Sequence, residues 1–500
     1  MTKGQMILTG RIQENPNSLL HDEILAPQFS YELKHLFSHY IWIEKVLLLE
    51  YNRLGIMKKE SLLEITEILN AITQSNISAN PEKNMSDISF AIERYVEERL
   101  TDKAATWHVD RSRNDFQATA QLMFGREKIL ELSQGLVNLW SSLHHLAENT
   151  LSIPMPGYTH YQPAQMITPG FYLSALSDRI QKLLNRLFHH YEEINSCPFG
   201  SGAMAGLELE WDRKTIAQLL GFHQPQAHAL VSVASREWVL QIASELSNFG
   251  VLLSRFVTDL ILWGSSEHRL IDLPDSLSGI SSAMPQKKNF PILERIRGKT
   301  SHLSALYQDF VLGQRNTAFT NLVETSKEAS THLITMFETT KTIIKLMTVV
   351  VENLKFQENR MTELCEQEYF GGFSLANFLC LEENIPYRVS QVITGQYILG
   401  VANKGLKPTQ VDVQTLEEIC KEQGFVISIS EECLQKAFSV RQNLYGKQTL
   451  GSTNPTEVEK MLQEQKTQMK KITLEWNEEH ERVTSSKQKV QLLLTQIGGE

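Results

Sequence analysis

Four stretches of the chain, residues 115–149, 179–195, 236–264 and 290–354, carry apolar side chains at every third or fourth position, with few Gly or Pro between them. That period is the repeat of an α-helix, and little in these stretches would end one. Helices this long, each with a broad apolar stripe, bury the stripe only by packing side by side. The sequence therefore predicts an all-α fold built on a long central helical bundle. The same spacing opens at Leu33, Leu36, Phe37, Ile41, Ile43, Val46 and Leu47, and strand-like alternation is scarce.

After Glu366 the segments shorten and are broken at Gly371-Gly372, Asn384-Ile385-Pro386 and Gly405-Leu406-Lys407-Pro408. We therefore expect a smaller N-terminal helical domain over 1–110, the central bundle over 111–364 and a smaller C-terminal helical domain over 365–500. Its last segment, from Glu457, is strongly charged with sparse apolar residues; it reads as one or two exposed helices, with an extra tail after about Lys466.

Composition narrows the function. With 48 Lys+Arg against 58 Asp+Glu and no basic block, nucleic-acid binding is not expected. The five cysteines (Cys197, Cys365, Cys380, Cys420, Cys433) form no CxxC pair and have no His at ligand spacing, which points away from disulfides and metal and toward a reducing cytosol. The first residues lack the apolar core of a signal peptide, and no later run reaches about 18 uncharged apolar residues, so a cytoplasmic protein without a membrane span is expected.

Pro, Gly, Ser and Thr gather at 152–170, 196–206 and 273–291, which read as loops at the ends of a rigid bundle, where catalytic groups tend to sit. In the last of them, Ser281-Ser282-Ala283-Met284-Pro285-Gln286-Lys287-Lys288-Asn289 sets two hydroxyls, two ammonium groups and an amide on one segment. By composition alone this is a solvated basic turn. As a string it resembles the signature loop of the fumarase/aspartase superfamily, G-S-S-x-M-P-x-K-x-N, in the Gln-Lys-Lys form of argininosuccinate lyases. Two further segments resemble that family in the same order. His108-Val109-Asp110-Arg111-Ser112-Arg113-Asn114-Asp115 is similar to its H-T-G-R-S-R-N-D, and Met155-Pro156-Gly157-Tyr158-Thr159-His160-Tyr161-Gln162 to its M-P-G-Y-T-H-L-Q.

The resemblance implies elimination of an amine β to a carboxylate, releasing fumarate and needing no cofactor, because the substrate carboxylate holds the charge as an aci-carboxylate that prearranged donors must stabilise. It implies Ser281 as the base, with Ser282 as its close rival, and Lys287 and Asn289 as donors to the aci-carboxylate. Ser112, Asn114 and Thr159 would grip the other fumarate-side oxygens. His160, which alone would read as a solvated or structural histidine, takes the place of the family's acid/base helper near the departing amine. Arg236 aligns with the arginine of a V-S-D-R-D helix start and Lys327 with the lysine of a Q-E-D-K-E string. Each is a candidate partner for a substrate carboxylate, or a helix-end charge.

The chain departs from the family mainly on the amine side. The N-D-S-L segment is not recognisable in His21-Asp22-Glu23-Ile24-Leu25-Ala26-Pro27, Ser86-Asp87-Ile88-Ser89 lacks the histidine of E-D-I-H, and the tyrosine and glutamine of Y-N-K-D-x-Q-E-D-K-E are absent from Phe319–Glu328. Losing such hydroxyls and amides changes specificity sharply, so an N-succinyl substrate with a different amine is expected, argininosuccinate remaining open. Ile280 replaces the first glycine of Gly-Ser-Ser; if that position needs positive φ, isoleucine would hinder loop closure, unless Gly279 is the hinge. The resemblance further implies a homotetramer with active sites shared between subunits. A non-catalytic structural or regulatory member of the fold, and a superfamily lyase with another leaving group, are the alternatives.

Overall fold

The computed structural model describes residues 11–12 and 14–499. Five long helices form its trunk. Helices α1 (Ala26–His35), α2 (Phe37–Arg53), α3 (Lys59–Ala71) and α4 (Ile88–Glu97) precede them. The trunk comprises α5 (Arg113–Glu148), α6 (Pro169–Ile194), α7 (Glu237–Trp263), α8 (Pro291–Gln314) and α9 (Leu333–Asn353). Helix α5, of 36 residues, is roughly 54 Å long at 1.5 Å per residue. It packs along α6 and α9, while α7 lies along α8. The all-helical expectation is met because the apolar stripes close on one another: Leu122, Ile129, Leu136, Leu143, Leu176, Leu183, Val239, Leu246, Leu253, Leu303 and Ile343 are all buried in one core.

The apolar period from 290 to 354 does not give one continuous helix. Helix α8 ends at Gln314, Arg315 turns extended, and Asn316 adopts φ 59°. Residues 315–332 then run irregularly, with only short turns at Val323–Ser326 and Glu328–Ser330. Side chains that bond to nearby backbone drive the break, as when the Thr317 hydroxyl donates to the Gln314 carbonyl at 2.8 Å.

Residues 152–170, expected as a loop, contain a hairpin of β1 (Met155–Thr159) and β2 (Gln162–Ile167). Its two-residue turn, His160-Tyr161, has φ 54° and 61°, the pair of positive angles of a type I′ turn, which matches the twist of the strands. A second ladder pairs β3 (Gly279–Ile280) with β4 (Lys288–Asn289), clasping residues 281–287.

Short helices between Gly372 and Tyr445 enclose a separate core of Leu375, Leu379, Ile393, Tyr397, Leu416, Leu434 and Phe438. The final segment corrects the expectation of exposed helices. It is one 45-residue helix, α10 (Pro455–Gly499), against α6, α5, α2 and α3, with Val458, Leu462, Met469, Ile472, Trp476, Val490 and Leu494 in the main core. A narrow buried stripe spaced by three, four or seven, in which Glu479 and Ser486 fill the gap between Trp476 and Val490, suffices for this, however charged the other faces are. Even Glu479 is buried on this helix, accepting hydrogen bonds from Asn195 Nδ2 and His223 Nε2, each at 2.9 Å.

Candidate active site

The 108–115 segment is mostly framework. His108 and Asp110 have φ of 73° and 53°. Asp110 stands where the resembled motif has glycine, and its carboxylate accepts from the Leu209 amide (2.7 Å), the Glu208 amide and Trp211 Nε1 (2.9 Å). Asp tolerates the left-handed region better than most side chains. Arg111 forms a buried two-point pair with Glu44, at 2.9 and 2.7 Å, and also contacts His108, whose pKa burial holds well below its ordinary value. Asp115, fully buried, accepts from the Gly200 and Gly202 amides at 3.0 and 2.9 Å and so ties the glycine-rich loop to the start of α5. Burial raises its pKa to about 6 despite those two donors.

Two predicted ligands remain on that helix start. Ser112 caps α5, its hydroxyl oxygen accepting from the Asn114 amide at 3.2 Å. Asn114 Nδ2 donates to the Ala203 carbonyl at 3.1 Å. Both side chains are half-buried beside the exposed residues 203–206, and these two bonds use neither the serine O–H as donor nor the Asn114 Oδ1 as acceptor.

Thr159 and His160 are exposed at the tip of the hairpin. His160, Tyr158 and Tyr161 border a groove of about 430 Å³ shared with Tyr172, Arg255 and Asp259. At its wall the Tyr172 hydroxyl donates to the Asp259 carboxylate, and burial and that bond raise the Tyr172 pKa strongly.

In the clasped loop, Ser281 Oγ accepts from the Met284 amide at 3.1 Å, and the Lys287 amide donates to the Met284 carbonyl at 3.0 Å. Lys288 donates to Asp272 at 3.0 Å and to the Leu273 carbonyl at 2.6 Å, and lies 3.2 Å from Asp275. It therefore pins the loop, whereas Lys287 is exposed and Asn289 half-buried. Neither Gly279 nor Ile280 has positive φ. Ile280 sits in the short ladder, 93% exposed and in a backbone region that suits a β-branched residue, so it carries no strain here. The glycine is needed one residue earlier: a Cβ on Gly279 would lie 2.9 Å from Pro291 Cγ.

Arg236 and Lys327 share a cavity of about 390 Å³ with Glu32, Gln121 and Ser326. Arg236 is buried. Its Nε donates to Gln121 Oε1 (2.9 Å) and its Nη1 to the carbonyls of Val233 (3.1 Å) and Ser235 (2.8 Å), while Nη2 has no partner among the described residues. With no carboxylate beside it, burial lowers its pKa to about 10. Gln121 Nε2 in turn donates to the Ser326 carbonyl at 2.6 Å, joining the Arg236 region to the segment that carries Lys327. Lys327 lies 3.3 Å from the buried carboxylate of Glu32, whose pKa burial raises against the pull of Lys327. Sequence reading missed Glu32, Gln121 and Trp238, which sit inside regular helical pattern and carry no local signal.

Within one chain, then, the candidate residues fall in separate places. The Arg236–Lys327 cavity is lined by none of the three motif segments, and the groove at His160 by none of residues 108–115 or 279–289.

Comparison with known proteins gives this arrangement its family. The lyase family, described simply as "Lyase", matches residues 30–303. "Argininosuccinate lyase 1" of Shouchella clausii (strain KSM-K16) is 31% identical over 462 residues, covering 91% of this chain and 92% of that protein. The chain belongs to the argininosuccinate lyase family. It is a carbon–nitrogen lyase of the fumarate-releasing superfamily. "Argininosuccinate lyase" of Aquifex aeolicus (strain VF5) is likewise 31% identical, over 423 residues, with 82% of this chain and 88% of that one covered. Among solved structures, EDDS lyase in complex with formate superposes with a TM-score of 0.84 at 22% identity, covering 97% of this chain and 96% of that one. Class II fumarase from Schistosoma mansoni gives 0.65 at 15% identity, covering 83% and 90%. These two likenesses speak to the fold. They agree with the helical bundle of an argininosuccinate lyase family member.

Proposed function

We propose that this lyase removes an amine other than the guanidine of arginine from an N-succinyl substrate, in a site completed by several copies of the chain. Ser281 takes the proton from the carbon beside one carboxylate, and the C–N bond on the neighbouring carbon breaks with its electron pair leaving on nitrogen. Lys287 and Asn289 stabilise the aci-carboxylate, Ser112, Asn114 and Thr159 hold the other succinyl oxygens, and His160 assists proton delivery to the departing amine. Arg236 and Lys327 serve the amine side. A cytoplasmic location accompanies this reading.

The observation that carries the shared site is the dispersal of the motifs. Ser281 and Lys287 sit on a clasped loop and His160 at a hairpin tip, both open to solvent, away from the cavity that holds Arg236 and Lys327. The trunk supports it: α7 is long and apolar enough to cross a membrane, yet half of its most apolar window is unburied by this chain, with Val251 52% exposed. An apolar side on a trunk helix is what a bundle shared among subunits covers, and a homotetramer would supply that cover.

The deciding experiment is fumarate formation from argininosuccinate and a panel of N-succinyl amines, with Ser281→Ala as control. Release that requires Ser281 supports the reading; argininosuccinate as much the fastest substrate would reject the altered amine. Mixed tetramers of Ser281→Ala and His160→Ala chains should regain activity, and mixed tetramers that stay inactive would reject shared sites.

A further inference from the structure

The Arg236–Lys327 cavity has a chemistry of its own. Its floor is apolar, made of Leu36, Phe124, Trp238 and Leu333, all buried, with Ile24 and Pro27 at the rim. The Trp238 ring can form this floor because it lies on Gly125 of α5, where a Cβ would come within 2.5 Å of the ring. The one buried carboxylate among the lining residues, Glu32, is engaged through a single oxygen, Oε1, by Lys327 at 3.3 Å and by Gln28 Nε2 at 3.1 Å, so it does not present a free pair. Glu23 and Glu328 are exposed at the rim. A guanidinium needs free, planar acceptor pairs for its fork of N–H groups, and the floor offers none. Arg236 presents the opposite deficit. It is a buried cation with three bonds to uncharged acceptors and one nitrogen, Nη2, left without any. Such a group is costly unless an anion satisfies it.

Resting on the lyase reading above, we infer that the leaving amine is an α-amino acid with an apolar side chain, whose carboxylate is received by Arg236 and whose side chain lies on the floor around Trp238. The substrate class is then an N-succinyl apolar amino acid. Lys327 stays with Glu32, and the pair holds that side of the cavity rather than a ligand guanidinium.

The test uses the purified full chain and measures fumarate release from four compounds: leucine and phenylalanine carrying an N-(1,2-dicarboxyethyl) group (C2 of succinate bonded to the amine nitrogen), argininosuccinate, and the same N-(1,2-dicarboxyethyl) derivative of isoamylamine, which is leucine without its carboxylate. The leucine and phenylalanine compounds should exceed both others in kcat/KM by about tenfold or more, the scale of a charge-assisted hydrogen bond. Arg236→Met should erase the advantage of leucine over isoamylamine, mainly through KM. The wild-type ranking stands on its own if that variant does not fold. Argininosuccinate ranking first, or isoamylamine matching leucine, overturns the inference and leaves the lyase reading intact. Fumarate from none of the four overturns the inference, and the lyase reading is then decided separately by the wider amine panel with the Ser281→Ala control.

Discussion

Lys288 gives its ammonium to Asp272, Asp275 and the Leu273 carbonyl, which leaves its neighbour Lys287 as the exposed cation of the 281–287 turn. Lys287→Met should therefore lower kcat/KM for fumarate release by about 10²–10³, the usual effect of removing one donor to a developing oxyanion, with the melting temperature unchanged. Lys288→Met should instead lower the melting temperature, with a smaller fall in kcat/KM. A pH dependence belongs to Asp115, whose pKa in the fold is about 6 because it is buried, against about 3.9 in an unfolded chain. Between those values the fold holds the proton more tightly than the unfolded chain does, so this group's stabilising effect is complete below about pH 4 and is lost as pH rises through 6. Asp115→Asn should remove that slope: its urea midpoint relative to wild type should increase from pH 4 to pH 6.5, and a constant difference would contradict this assignment. The motif residues were legible in the sequence because their strings are distinctive, yet the strings mix roles. Asp110, Arg111 and Asp115 turn out to be bonded to framework, and Glu32 and Gln121, which shape the cavity, had no string around them at all.

At the scale of elements, the His160-Tyr161 turn carries two non-glycine residues at positive φ. Tyr161 is 76% exposed, so Tyr161→Gly relieves backbone strain while giving up little burial and should stabilise the protein by roughly 1 kcal/mol, read as a rise in urea midpoint. Helix α10 makes the opposite case. Trp476 is 3% exposed and stacks edge-on against Phe188 and Tyr191 of α6, so Trp476→Ala should cost about 3–5 kcal/mol. The trunk helices were legible because their period is long and regular. The hairpin was not, since a two-residue turn lacking Gly or Asn gives no signal of its own. The α10 stripe was hidden by dilution: buried residues up to seven apart among charged neighbours read as a solvated helix until α5 and α6 are present to receive them.

For the whole molecule, the exposed apolar side of α7 and the dispersal of the candidate residues point to one expectation, that sedimentation of this 57.1 kDa chain gives a tetramer and not a monomer. Substituting Val251 with Glu on that side should shift the protein toward smaller species and abolish fumarate release together; dissociation with activity retained would count against sites built across subunits. One feature of the single chain bears on how it is made. Leu462, Ile472, Trp476 and Leu494 fill the same core as Phe29 and Leu47, so the two ends of the described sequence meet in one hydrophobic interior, with a separately cored segment of about 100 residues emerging between the trunk and α10. On the ribosome, at about 5–20 residues per second, the faces of α5 and α6 that receive α10 wait roughly 7–30 s after the trunk has been synthesised for that helix to be complete. During that interval the nascent chain is a client for chaperones that hold hydrophobic surface, and its aggregation in a cell should depend on how fast residues 455–499 arrive.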